Sequence, residues 1–243
     1  MKTTKYLSPR LAGLALGLTT GLVALSLAVL PAGQVQAAPG NPANAAGIVS
    51  LQADFAAVSA TLSDAEIAGL VYMREEEKLA QDVYLALYAR WGLPIFQNIA
   101  NSEQRHTDAV KTLLDRYGLE DPSAGKAAGE FVNADLQALY GELMALGEQS
   151  LGDALKVGAT IEDLDIFDLQ KNLAEVENVD IRRVYENLTR GSRNHLRSFI
   201  STLERQTGES YQPQYLSDEE FQSIVGSGRE TGRDGRRGGR NRP

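Results

Sequence analysis

The sequence predicts an all-α protein: a four-helix bundle of two similar helical hairpins, with short extra helices. Three observations predict it. Apolar residues from about 63 to 206 recur at spacings of three and four, and no alternating β-branched run with hairpin turns appears. Proline is scarce in this stretch, and glycines close several of the periodic segments. A long loop, "LEDPSAGKAAGE", separates two pairs of long segments, as a bundle of two hairpins requires.

The elements follow in order. "SDAE" is a capping box in which Ser63 opens a helix and Glu66 answers it. That helix runs to about Trp91 and stops at Gly92. Pro94 occupies the first turn of the second, which ends at Tyr117 before Gly118. After the loop a shorter helix spans about Ala134 to Leu146. Ser150 and Asp153 cap the next, which continues to about Val176 despite Gly158. Asn178 or Asp180 opens the last long helix, ending near Gln206 before Gly208. A Ser217/Glu220 box starts a short final helix.

The 243-residue chain carries more than this bundle. Lys2, Lys5 and Arg10 precede twenty mostly apolar residues, and Val35-Gln36-Ala37 fits a small-x-small cleavage site. Residues 1–37 therefore read as a signal peptide, cleaved after Ala37 or Ala38, and the mature protein as secreted or extracytoplasmic. An uncleaved anchor is the competing reading, opposed by Pro31 and the small residues after it. On the cleaved reading no stable membrane anchor remains. Residues 38–48 read as a flexible linker, 49–225 as the helical domain, and 226–243 as a disordered Gly/Arg-rich tail. The absence of cysteine excludes disulfides, thiolate metal sites and a lipoprotein anchor. The whole chain has net charge −8, the first 37 residues carry three positive charges and no negative, and the tail sets six arginines against two acids, so the part between holds −15. Such a core repels nucleic acid and anionic lipid. No nucleophile–base arrangement, phosphate-binding glycine loop or nucleic-acid motif is present.

The only two histidines occupy one register of a repeated pattern. "NIANSEQRH" ends at His106 and "NLTRGSRNH" ends at His195, with Asn98 matching Asn187 and Ile99 matching Leu188. Upstream, Glu77 and Glu162 lie 29 and 33 residues before their histidines, a difference of one helical turn. Glu77 falls within the apolar stripe Leu70, Met73, Ala80, Tyr84, Leu87, where a buried carboxylate needs a proton, a cation or a metal. Glu103 and His106, three apart, share a face with Ile99, Val110 and Leu113. Glu77, Glu103, His106, Glu162 and His195 thus bring three carboxylates and two imidazoles from four helices, a donor set that suits iron, manganese or zinc. Two alternatives stay open. Glu75 or Glu76 can be the inner residue in place of Glu77, the rest of "EEEK" then being a solvated face. Glu148 can replace Glu162. Tyr84 and Tyr185 read as packing residues, and Arg193, Asn194 and Arg197 as partners of the acidic face.

The pattern Glu, Glu-x-x-His, Glu, x-x-x-His resembles the ferritin-like superfamily. It is nearest to rubrerythrin, whose first helix also carries a Glu seven residues before a Tyr, as Glu77 and Tyr84 do. "MREEEKLAQDVY", "SEQRH", "DALKVGATIEDLDIFDL" and "YENLTRGSRNHLRSF" resemble the DUF2202 family, over about Leu62 to Leu203. The resemblance implies a ferritin-like bundle and a carboxylate/histidine site for two irons or manganeses, with peroxide or oxygen chemistry or metal handling as its use. A homodimer is compatible with it. One column departs: the fourth helix carries Ser192 where the superfamily has Glu. Asp165 or Glu76 then supplies the missing carboxylate, or the site holds one metal, or two unequally. The contrasting reading is a non-catalytic helical module whose polar cluster is a structural staple.

Overall fold

The computed structural model describes residues 62–231, and within them every regular element is a helix. The expected signal peptide, the linker, the start of the domain at 49 and the tail beyond 231 lie outside the described residues. Six helices follow in order: α1 Asp64–Trp91, α2 Pro94–Tyr117, α3 Ala134–Gly147, α4 Leu151–Glu175, α5 Val179–Thr207 and α6 Asp218–Val225. None is long and apolar enough to cross a membrane.

The helix ends follow from local chemistry. Ser63 and Glu66 form both halves of a capping box on α1, and Gly92 closes it in the left-handed region at φ 65°. Pro94 starts α2, and Gly118 ends it with φ 66°. Asn133, Ser150, Asn178 and Ser217 accept backbone N–H groups at the starts of α3, α4, α5 and α6. Asn178, not Asp180, is thus the cap of α5.

α1 and α2 form one antiparallel hairpin and α4 and α5 the other. α1 lies against α4 and α2 against α5, which places the inner stripes of all four on one core. One half of that core holds Leu70, Met73, Val110, Leu114, Leu169, Ile181 and Tyr185. Toward the other end, Tyr84 and Phe96 both lean on Phe199, with ring centroids 5.2 and 5.9 Å away. Gly158 permits this: a Cβ there would meet the Phe199 ring at 2.4 Å. A residue that weakens α4 in isolation therefore lets α5 approach it.

The block Arg74–Lys78 departs from expectation. All five residues are buried rather than a solvated face. The long connection folds back over them and uses their charges. Glu75 accepts from the N–H groups of Val132 and Asn133, just before α3. Arg74 donates to both oxygens of Asp121 and to Thr107 Oγ1 at 2.7 Å. Lys78 reaches Asp82, the carbonyls of Ala127 and Glu130, and the face of Phe131. These groups satisfy loop backbone that helices leave unpaired. Past α6, where the Gly/Arg-rich stretch begins, Glu230 pairs with Arg193 and Arg197, and its backbone N–H and carbonyl both bond the Asn194 side chain.

Candidate metal centre

Each of the four long helices delivers side chains to one buried point. α1 delivers Glu77, α2 Glu103 and His106, α4 Glu162, and α5 His195. The three glutamates are at most 2 % exposed, and each imidazole keeps 12 % of its side-chain surface. The rings stack with centroids 5.5 Å apart. Glu103 lies between them and divides its oxygens. Oε2 is 2.7 Å from His106 Nδ1, and Oε1 is 2.8 Å from His195 Nδ1. Glu77 Oε2 approaches His106 Nδ1 at 3.3 Å, and Glu162 Oε2 approaches His195 Nδ1 at 3.5 Å. The two hairpins thus repeat around Glu103. Glu148, at the end of α3, is exposed and takes no part.

The short contacts are not hydrogen bonds. His106 Nδ1, His195 Nδ1, Glu103 Oε1 and Glu77 Oε1 are buried without a partner in hydrogen-bond geometry. Two donors on one first-row ion, each about 2.0–2.2 Å from it, lie about 3 Å apart and aim at the ion rather than at each other. The contacts at 2.7–3.5 Å have that character. Two triads result, Glu77/Glu103/His106 and Glu103/Glu162/His195, each with its donor atoms within 4.8 Å of one another. Each triad is a set of groups that could hold a metal ion, and Glu103 is common to both.

The electrostatics are those of a site built for positive charge. Burial raises Glu77 to about 7, although His106 pulls the other way. Burial and then Glu103 raise Glu162. Burial also works against ionised Glu103, but the two imidazoles outweigh it and hold that carboxyl well below the usual range. In turn Glu103 and Glu77 overcome burial to raise His106, and Glu103 and Glu162 raise His195 to about 10. Protons thus compensate the buried carboxylates in the absence of metal. Tyr84, fully buried, donates to Glu162 Oε1 at 2.6 Å and fixes that carboxylate.

The serine column has a structural answer. Ser192 is fully buried, and its Oγ donates toward Asp165 Oδ2 and toward the Leu188 carbonyl at 3.0 Å. Asp165, one turn along α4 from Glu162, occupies the corner that a glutamate at 192 would fill, with Oδ1 buried and unpartnered. Ser192→Glu is therefore expected to overpack this corner and set a carboxylate against Asp165. A loss of about 1–3 kcal/mol is expected, with recovery in Ser192→Glu/Asp165→Ala. Chemical denaturation of both variants checks it, and an unchanged midpoint in the single variant contradicts it.

Gly191 is the site residue that pattern reading passes over. A Cβ there would stand 2.6 Å from His106 Nε2, so α5 needs glycine at 191 to lie beside that ring. A glycine inside a strongly periodic helix is the only signal in the sequence.

A helical bundle whose core carries paired carboxylate/histidine groups able to hold metal is the class that fold and site define. The chain belongs to the family described as uncharacterized protein domain DUF2202, whose model matches residues 66–228. It is 53 % identical over 171 residues to uncharacterized protein MJ0754 of Methanocaldococcus jannaschii, covering 70 % of this chain and 92 % of that one. The crystal structure of hypothetical protein MJ0754 from Methanococcus jannaschii superposes with a TM-score of 0.68, covering 70 % of this chain and 96 % of that one.

Proposed function

We propose that this is a ferritin-like protein of the extracytoplasmic space that holds two first-row metal ions, iron or manganese, for reaction with peroxide or oxygen or for metal handling. The observation that carries the reading is the pair of triads sharing Glu103. Glu77 and His106 would hold one ion, Glu162 and His195 the other, and Glu103 both. Bound iron or manganese supplies one-electron redox chemistry to a small oxidant. The chain does the rest. Rigid helices fix the donors before metal arrives. Tyr84 orients Glu162 through its 2.6 Å hydrogen bond, and the Tyr84–Phe96–Phe199 cluster keeps water from one side. Zinc fits the same donors but supplies no redox chemistry. Export rests on the apolar run before Val35-Gln36-Ala37.

Elemental analysis of protein purified without chelator or added metal tests the reading. Iron or manganese at near two per chain supports it. No first-row metal, together with no uptake on titration, makes the cluster a structural staple.

Acidity gives a second check. His106 and His195 have pKa values raised by folding, so their stabilisation is complete below the unfolded value of about 6.5. It is lost as pH rises through the folded value, about 10 for His195. Glu77, raised from 4.5 to about 7, acts in the same sense, because its ionisation opposes folding. The metal-free protein should melt at falling temperature from about pH 6 to about pH 9. Metal needs neutral imidazoles and ionised carboxylates, so its stabilisation should grow over that range, with about two protons released per chain near pH 7. Calorimetry in buffers of different ionisation enthalpy measures the protons. A heat independent of buffer contradicts the account.

A further inference from the structure

A line of carboxylates leads away from the centre. Along α4, Glu162, Asp165 and Asp168 follow at steps of three residues, about 4.5 Å of helix rise each. Their exposure climbs outward: Glu162 is 1 % exposed, Asp165 5 %, and Asp168 is partly open to solvent. Across from them on α1 stands Glu76, only 2 % exposed, with both carboxylate oxygens buried and without a hydrogen-bond partner. One turn before it, Tyr72 donates to Asp168 Oδ2 at 3.2 Å and marks the outer end. Lys171, the next residue outward on α4, is exposed and forms no ion pair with the line among the described residues.

A carboxylate at this depth with both oxygens unpartnered, as in Glu76, is costly unless it holds a proton or something positive visits it. The oxygens here do not converge as those of the centre do, for no triad of this line has its donor atoms within 4.8 Å among the described residues. Such a set binds a divalent cation weakly and in steps, which passage requires and residence does not.

We propose that Asp168, Glu76 and Asp165 form the path by which divalent metal ions pass from solvent, at Tyr72, to the Glu77/Glu103/His106/Glu162/His195 centre. This rests on the metal-centre reading. Asp168 receives the ion at the surface. Glu76 on α1 and Asp165 on α4 hand it to Glu77 and Glu162, their neighbours on the same helices.

The test is anaerobic stopped-flow uptake of Co(II), followed by the visible absorption of bound cobalt. Wild type is compared with Asp168→Asn, Glu76→Gln and, as a control for net charge, Glu204→Gln at an exposed position on α5. Asp168→Asn is partly exposed, so its folding is secure even if Glu76→Gln perturbs the core. Uptake should slow about tenfold in each path variant, the lower range for loss of charge steering at a focusing cleft. The final stoichiometry should stay at the wild-type value, and the control should stay within about twofold. Path variants that load as fast as wild type overturn the path and leave the metal centre standing. A lower end-point at unchanged rate also overturns it, since the residue is then a resident ligand. A wild-type protein that takes up no cobalt overturns path and centre together.

Discussion

Glu103→Ala should empty both halves of the centre at once. Among the described residues Glu103 alone lies within 2.8 Å of both imidazole nitrogens, and both triads contain it. Losing any other carboxylate spares one triad. Loss of an outer-shell partner commonly costs about 10–100-fold in metal affinity, so loss of a shared ligand should exceed about 100-fold for each ion. The metal-free protein should suffer too. Without Glu103, His106 and His195 lose the carboxylate whose charge holds their protons, at about 1–3 kcal/mol. Titration calorimetry with Mn(II), alongside denaturant melts of chelated protein, reads both effects. Retention of one full equivalent of tight metal would show that Glu103 is not shared.

Gly191→Ala should be nearly as damaging, although the change is one methyl group on a helix and favours helix formation by about 1 kcal/mol in isolation. The added Cβ would stand 2.6 Å from His106 Nε2 and 2.7 Å from Cε1, closer than any real contact. The ring must swing, or α5 must retreat from α2. Either movement takes Nδ1 away from Glu103 and Glu77. Affinity for one ion should fall at least about tenfold while the His195 side holds, and stability should fall by about 1–3 kcal/mol. A binding isotherm separating into one tight and one weak equivalent is the expected signature. Unchanged binding of both ions would mean that the helices adjust freely at this contact.

The bundle was legible in the sequence because its elements carry their own punctuation. Ser63 with Glu66, Pro94, Gly118 and Ser150 act through backbone groups within a turn, so short stretches suffice to place them. The clustering of Glu77, Glu103, His106, Glu162 and His195 was legible for a related reason: helical spacing fixes which residues share a face, and the repeat set His106 and His195 in one register. What the spacing left open needed partners far along the chain. Glu75, Glu76 and Glu77 look alike in sequence. They differ because the loop before α3 takes Glu75, α4 faces Glu76, and His106 faces Glu77. Arg74 and Lys78 read as solvated until the 118–133 connection is seen to close over them. The serine at 192 was ambiguous because its meaning depends on Asp165, on another helix. Gly191 carries no side chain, and its role is only the space it leaves for His106.

The central claim is that two metal ions share Glu103 between the two hairpins. Anomalous X-ray diffraction on crystals loaded with Mn(II) or Fe(II), recorded on both sides of the metal absorption edge, tests it most directly. The account predicts two peaks about 3.5–4 Å apart, one bounded by Glu77, Glu103 and His106, the other by Glu103, Glu162 and His195. No peak beside Glu103 in crystals soaked at millimolar metal, with both histidine rings unmoved, would contradict it.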